Sequence, residues 1–250
     1  MIKIQTISKI SVFVSCLTVI IIFFTLIEMK SQRRDTYKPT IIPAGQQIFA
    51  EADSAYAEAI PTSWTSYCQN DNELQIKPLD HFEVILYNIG NGAAKEINIK
   101  WKFNISGYYE ILSELNKTIP LYKDLKIVND WLSWSINDSI YGLITLKNDF
   151  FTEVDYILPC SIEKTGLRIN IPYSYIFFVS SYIQLKYQES LKKDMTNFLI
   201  HPIYLNILYY DIVGNRYKNK YRIDLEIIII GLEKESKTVN FSAWFIPTSK

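Results

Sequence analysis

The sequence predicts a mostly-β protein: an N-terminal transmembrane helix followed by one antiparallel β-sandwich, with one inserted or appended helix. Two patterns predict this fold class. The segment Ile10–Ile27 holds eighteen residues without a charge, about what a helix needs to cross the ~30 Å hydrocarbon core of a bilayer. After it, apolar and polar residues alternate with a period of two, which is typical of strands with one buried and one exposed face.

The apolar segment is interpreted as an uncleaved anchor within residues 1–29. A cleaved signal peptide is one alternative, because Lys3 and Lys9 precede the segment. Its apolar core, however, is longer than the usual 7–15 residues, and no Ala-x-Ala cleavage pattern follows it. A lipoprotein signal at Ser15-Cys16 is a second alternative, but only Ile10–Val14 precedes that cysteine as an apolar core.

The basic residues that flank this helix indicate the side of the membrane on which the rest of the chain lies. Positive charge that flanks a first helix tends to stay in the cytoplasm. Lys3, Lys9 and the amino terminus lie on one flank, and a denser group lies on the other: Lys30, Arg33, Arg34 and Lys38. The sequence therefore favours a single-pass cell-membrane protein with a cytoplasmic domain, and an extracytoplasmic domain is the alternative.

One face of the predicted anchor is polar. Its hydroxyl residues recur at spacings of three, four and seven: Ser8, Ser11, Ser15, Thr18 and Thr25. Such side chains let two helices approach closely in lipid and can form hydrogen bonds between them. The stripe thus indicates self-association or a protein partner in the membrane, and the alternative is that each hydroxyl bonds to its own backbone.

Residues 30–44 are predicted to form a charged linker, stiffened by Pro39 and Pro43, and residues 45–250 to form the folded domain. Hydrophobic residues make up 48% of the chain and its net charge is zero. Without residues 1–30 the chain has 23 basic and 25 acidic residues. This balance argues against a nucleic-acid partner, because such proteins usually carry an excess of positive charge.

Alternating patterns and turn residues predict eight strands in the domain. They are Phe82–Asn88, Lys95–Phe103, Ile140–Leu146, Phe151–Ile157, Leu167–Ile171, Ile203–Asp211, Tyr217–Ile229 and Thr238–Phe245. The first two are expected to form a hairpin in which Gly90, Asn91 and Gly92 supply positive φ angles. A second hairpin is expected to turn at Gly214-Asn215. One helix is predicted around residues 174–194, because Pro172 suits a helix start and apolar residues follow at helical spacing.

The segment NIGNGAA (residues 88–94), preceded by FEVILY and followed by IKW, resembles a hairpin of immunoglobulin-like domains. Similar domains, including the CARDB adhesion type, occur in bacterial membrane-anchored proteins. The resemblance covers residues 82–103. It implies a sandwich fold with an adhesive or scaffolding role, and it brings no catalytic residues.

No recognised catalytic, metal or cofactor motif is present, so the sequence predicts a non-enzymatic interaction module without a cofactor. The only histidines are His81 and His201, and they lie far from Cys68 and Cys160, whereas zinc needs about four ligands at close spacing. Gly90-Asn91-Gly92 lacks the Gly-Lys-Ser/Thr of a phosphate loop. A hydrolase-type enzyme with an unrecognised carboxylate site and a surface adhesive domain with a cleaved signal are the alternatives.

The clearest surface feature is a row of basic residues on one face of a predicted strand: Arg216, Lys218, Lys220 and Arg222. Such a row can contact anionic headgroups or an acidic partner. The alternative is that these charges only keep an exposed or edge strand soluble.

Overall fold

The computed structural model describes residues 2–51, 60–66, 82–136, 140–146, 150–190, 198–232 and 239–249. Within them the protein is mostly β, as predicted. The helices are α1 (Ile2–Thr36), α2 (Ile105–Thr118) and α3 (Tyr173–Ser190). The strands are β1 (Ile41–Pro43), β2 (Gln46–Glu51), β3 (Ser63–Ser66), β4 (Glu83–Asn88), β5 (Ala94–Lys102), β6 (Lys126–Val128), β7 (Trp131–Ile136), β8 (Ile140–Thr145), β9 (Phe151–Ile157), β10 (Leu167–Asn170), β11 (Ile203–Asp211), β12 (Arg216–Leu232) and β13 (Val239–Ser249).

The largest sheet has seven antiparallel strands in the order β3-β2-β13-β12-β11-β5-β9. Burial alternates along its strands: in β11, the odd-numbered residues from Ile203 to Asp211 are buried and the even-numbered ones are half-buried. The sheet therefore turns one face toward the core and the other toward solvent. β11 and β12 form the second predicted hairpin, with Tyr210 opposite Arg216.

The prediction of a first hairpin across residues 89–93 is wrong. β4 pairs with β1 and β10 in a three-stranded sheet, whereas β5 pairs with β11 and β9 in the large sheet. The segment 89–93 is thus a crossing between two sheets. The alternation in the sequence shows which face of each strand is buried, but it does not show which strand lies beside it.

The sheet of β1, β4 and β10 packs against the buried face of the large sheet. Trp101 of β5 donates its indole N–H to the carbonyl oxygen of Asn170 in β10 at 3.0 Å. Phe82, just before β4, packs edge-on against Phe245 of β13 with ring centroids 5.8 Å apart. The two sheets therefore share one hydrophobic core.

Helix α3 runs through this core, and the helix predicted around residues 174–194 begins where expected; residues 191–197 lie outside the described part of the chain. Every residue of Ser174–Leu185 is buried, as in a helix that is surrounded by protein. Ser180 donates to the carbonyl oxygen of Pro61 at 2.7 Å, and Ser181 donates to that of Phe177 at 2.6 Å. These bonds satisfy hydroxyls that would otherwise be costly to bury.

The expectation of a single helix in the domain is wrong, since α2 is a second one. The Asn104 side chain caps its start by accepting from the backbone N–H of Gly107 at 3.0 Å. Its buried residues, Tyr108 and Leu112, are four apart on one face, and α2 packs against α3. The pattern is hard to recognise from sequence because glycine and aromatic residues in the first two turns have low helix propensity.

The predicted linker, residues 30–44, is largely regular structure. α1 continues through Thr36, since Lys, Gln and Arg in this region are good helix formers. β1 begins at Ile41, so only Tyr37–Thr40 connect the helix to the domain. Pro39 lies in this connection, where a missing backbone N–H breaks no helical hydrogen bond.

Candidate functional site

Helix α1 has the length and composition to cross a membrane. Its stretch Val14–Thr36 includes a window of mean hydropathy 1.9, and none of that window is buried in the protein. Among the described residues it is the only helix that meets these criteria. Membrane anchors and signal sequences both contain such a helix.

The hydroxyl stripe of α1 is described only in part. Thr18 donates its hydroxyl to the carbonyl oxygen of Val14, and Thr25 to that of Ile21, each at 2.9 Å. Ser15 is exposed, while the side chains of Ser8 and Ser11 lie outside the described part. Two of the five hydroxyls therefore bond to their own helix, and such bonds leave the oxygen able to accept a hydrogen bond from a second helix.

The connection after α1, which we call the proximal segment (Tyr37–Ile41), is hydrogen-bonded to Asn88 at the end of β4. The fully buried Asn88 side-chain oxygen accepts from the backbone N–H groups of Thr40 at 3.0 Å and Gly90 at 3.1 Å. Its amide donates to the carbonyl oxygens of Gly92 at 2.7 Å and Ile157 at 3.2 Å. One buried side chain thus links the segment after α1 to two parts of the domain.

The loop Ile89–Ala93, which we call the glycine loop, is shaped by close packing and not by positive φ. Among the described glycines only Gly166 and Gly214 have positive φ, so the conformation expected for Gly90 and Gly92 is wrong. A Cβ atom on Gly90 would clash with the backbone of Lys38, and one on Gly92 would clash with the carbonyl of Tyr37. Glycine is needed here because two backbones touch. Asn91, between them, is exposed.

Tyrosines on the buried face of the large sheet hold the other side of the proximal segment. Tyr209 donates its hydroxyl to the carbonyl oxygen of Pro39 at 3.3 Å, and Tyr221 donates to that of Ile41 at 2.6 Å. Burial raises the pKa of both phenols, which keeps them protonated and able to donate at neutral pH. Pro39 and Ile41 of the proximal segment are thereby buried in the domain, while Tyr37 and Lys38 remain exposed.

The turn between β11 and β12 is organised by the buried carboxylate of Asp211. It accepts from the backbone N–H groups of Val213 at 3.0 Å and Asn215 at 2.8 Å, from the Asn215 amide at 2.7 Å and from the Tyr217 hydroxyl at 3.2 Å. Gly214 has φ +92, a conformation that favours glycine. Burial alone would raise the pKa of Asp211, but these hydrogen bonds hold it below its usual value.

This lowered pKa predicts a pH-dependent contribution to stability. Asp211 stabilises the fold above the ~3.9 pKa of an unfolded aspartate, and the contribution is lost as the pH falls through the lower folded pKa. We expect Asp211→Asn to reduce the free energy of unfolding by about 1–3 kcal/mol at pH 7. In urea unfolding of the detergent-solubilised chain, the deficit should shrink below pH 4. Exposed Asp155→Asn is the control, and a deficit that stays constant from pH 7 to pH 3 would contradict the assignment.

The predicted basic row lies on the solvent side of the large sheet, and the pairing of β5 with β11 enlarges it. Lys220 lies opposite Asn206, which lies opposite Lys100. The next row joins Arg222 to Lys102 through Tyr204 in the same way. We call the resulting surface the basic face, and its six exposed basic residues are Lys100, Lys102, Arg216, Lys218, Lys220 and Arg222.

Few acidic side chains neutralise the basic face. Within the described part of the chain, Arg222 is its only member in an ion pair, with Asp224 at 2.8 Å. Lys100 and Arg222 do not serve to protect a sheet edge from pairing, because each lies on a strand that is already paired with a neighbour on both sides. β11 contributes the apolar Leu208 to the middle of the surface. Sequence reasoning missed Lys100 and Lys102 because it paired β5 with the wrong strand.

Among the residues that the structure describes, the other side chains with catalytic or ligating potential do not form a recognisable reaction site. Burial raises the pKa of Tyr108 and Tyr175, and both hydroxyls donate to the carbonyl oxygen of His201, at 2.9 and 3.3 Å. The His201 ring packs edge-on against Tyr108, so this cluster is part of the core packing. His81 and Cys68 lie outside the described residues. In the described part, no three His, Cys, Asp or Glu residues are grouped to hold a metal ion.

Comparison with known proteins gives no match to this chain, whether among protein-family models, curated proteins or solved structures. The functional interpretation therefore rests on the anchor-like helix, the proximal segment and the basic face.

Proposed function

We propose that this chain is a single-pass membrane protein that presents a β-rich interaction domain, and that the basic face binds an acidic protein partner. The basic face carries the proposal. Its six exposed cations lie on β12 and β5, on either side of β11, and five of them form no ion pair within the described residues, so an acidic partner is attracted and oriented by them. Leu208 and Tyr204 in its centre provide the apolar and aromatic contact that protein interfaces favour.

A protein partner fits better than a nucleic acid. The chain beyond residue 30 has two more acidic than basic residues, so it provides no long-range attraction for a polyanion such as nucleic acid. The basic residues of β12 extend over about 20 Å from Arg216 to Arg222, at ~3.3 Å per residue. A row of this length matches the width of a protein interface.

The proposed location is the cell membrane, with α1 as an uncleaved anchor and the domain in the cytoplasm. Lys30, Arg33, Arg34 and Lys38 next to the anchor support this side. The hydroxyl stripe of α1 is proposed to contact a second membrane helix. A scaffolding role is also what the immunoglobulin-like resemblance implies, and the packing of two sheets on one core is in keeping with its sandwich fold.

Photocrosslinking in intact cells tests the partner. A benzophenone amino acid in place of Asn206, in the middle of the basic face, should give a discrete adduct with one acidic protein. Adding Lys100→Glu and Lys220→Glu should reduce the adduct at least tenfold, because two attractive charges become repulsive. The matched control, Lys117→Glu with Lys126→Glu, reverses the same number of exposed charges elsewhere. Equal adduct yields from both double variants would contradict binding through the basic face.

A further inference from the structure

Three loops lie side by side at the end of the large sheet where α1 joins the domain. Asp211 at the end of β11 lies opposite Ala94 at the start of β5, and Ala94 lies opposite Ile157 at the end of β9. The turn after Asp211, the glycine loop before Ala94 and the turn after Ile157 therefore emerge at one end. We call this the loop end of the domain.

The tips of these loops carry large apolar side chains in solvent. Their exposed fractions are high: Ile89 57%, Ile162 70%, Ile212 63% and Val213 79%. Turn tips normally carry Gly, Asn, Asp, Ser or Pro, which suit tight backbone conformations and water. The β-branched apolar side chains at these tips do not contribute to the conformation of the turns. Four of them on adjacent loops form an apolar surface that a partner can cover.

The loop end is held beside the last turn of α1. The backbone N–H of Ile89 donates to the carbonyl oxygen of Thr40 at 2.9 Å, four residues after the helix. The Lys38 ammonium lies 5.6 Å from the centre of the Tyr217 ring. Burial raises the pKa of Tyr217, and the nearby Arg34 guanidinium opposes that rise. The Lys38 contact thus places the β11–β12 hairpin beside the chain that follows α1.

The distance of this contact from the membrane determines how close the hairpin tip comes to the bilayer. Thr36, the last residue of α1, lies nine residues after Ile27, the end of the uncharged span, so it is about 14 Å beyond the hydrocarbon edge at 1.5 Å per residue. The tip residues Ile212 and Val213 lie ~7–10 Å along the hairpin from Tyr217. A hairpin that runs back along α1 from this point brings its tip to the headgroup layer, which adds about 5–7 Å to each side of the hydrocarbon core.

We propose that the loop end inserts its apolar tips into the interface of the bilayer that α1 spans, and thereby fixes the orientation of the domain on the membrane. Exposed basic residues at the end of α1 and in the proximal segment can contact phosphates: Arg33, Arg34 and Lys38. Apolar side chains with neighbouring Arg and Lys are the combination that binds a membrane interface. This inference rests on the proposed anchoring by α1.

The test measures how deep in the bilayer a fluorescent label at the hairpin tip lies. In the full-length protein, Cys16, Cys68 and Cys160 are replaced by serine and Val213 by a single cysteine. This cysteine is labelled with nitrobenzoxadiazole, and the protein is reconstituted in phosphatidylcholine–phosphatidylglycerol vesicles. Lipids with a doxyl group near the headgroup should quench this label at least twofold and its emission should shift to the blue. The matched control is Ile229→Cys, an apolar position 66% exposed on β12, about 40 Å from the start of that strand at Arg216, where neither change is expected.

A third label separates this inference from the anchor itself. Phe23→Cys, in the middle of α1, should be quenched by a doxyl group placed deep in the acyl chain. If Phe23 is quenched and the Val213 label behaves like the Ile229 label, the anchor stands and insertion of the loop end is refuted. If Phe23 is not quenched, the proposed anchoring is itself refuted.

Discussion

Replacing Asn88 by alanine should destabilise the domain strongly, and more than the loss of the Asp211 carboxylate does. The substitution removes four hydrogen bonds at a fully buried position. It leaves the N–H groups of Thr40 and Gly90 and the carbonyls of Gly92 and Ile157 without this partner. Since an unsatisfied buried group costs about 1–3 kcal/mol, we expect a loss of about 3–5 kcal/mol in the free energy of unfolding.

Chemical unfolding of the detergent-solubilised chain, together with hydrogen exchange at the Thr40 amide, measures this effect. Asn88→Asp is an informative second variant: it sets a carboxylate oxygen against the carbonyl oxygens of Gly92 and Ile157 at a fully buried position, so at pH 7 its loss should be at least as large. Asn98→Ala, at a half-buried position on β5, is the control and should change stability by less than about 0.5 kcal/mol. If Asn88→Ala and Asn98→Ala unfold alike, Asn88 does not hold the proximal segment.

Gly92→Ala should also have a large effect, for a steric reason. The added Cβ clashes with the carbonyl of Tyr37, and a backbone atom cannot rotate away as a side chain can. Gly92 does not have positive φ, so alanine itself tolerates the local conformation. We expect a loss of about 1–3 kcal/mol, the usual cost of overpacking, with faster hydrogen exchange at Thr40 and Ile89 as the proximal segment moves away.

The matched control for this substitution is Gly231→Ala in β12. No atom lies within 4 Å of a Cβ at Gly231, and its φ is not positive. Alanine there should be neutral or stabilise the protein by up to about 0.4–1 kcal/mol through the unfolded state. Normal exchange at Thr40 in Gly92→Ala would show that the glycine loop does not touch the proximal segment.

Local patterns predicted much of the secondary structure. The long alternation around Tyr221 to Ile227 corresponds to β12, and Pro172 with the apolar residues after it corresponds to α3. Periodicity works for these elements because their burial is regular. It fails for β1 and β6, which have three residues each and hold too few positions to show a period.

Strand partners were less predictable than strands. The glycines between β4 and β5 resemble a turn, yet they are there because the proximal segment packs against them. That contact joins residues about 50 positions apart, and no local pattern records it. The same error hid two of the six residues of the basic face: Arg216 to Arg222 lie on one strand, but Lys100 and Lys102 join them only through β11.

The loop end illustrates the same limit. Ile89, Ile162 and Ile212 lie far apart in sequence and each looks like an ordinary apolar residue next to a strand. Only the register of β11, β5 and β9 places them together. Asn88 was part of a recognised motif, but its role depends on Thr40 and Ile157, which sequence spacing does not connect to it.

The central claim is that α1 remains attached and anchors the domain, and the intact mass of the protein in membranes tests it most directly. Cell membranes should be washed with alkaline carbonate, which removes peripheral proteins, and the retained chain measured by mass spectrometry. The account predicts that the chain stays with the membranes and that its mass includes Ile10–Ile27. A chain released by the wash, with a mass that starts after Ile27, would contradict it and show that the apolar segment is a cleaved signal.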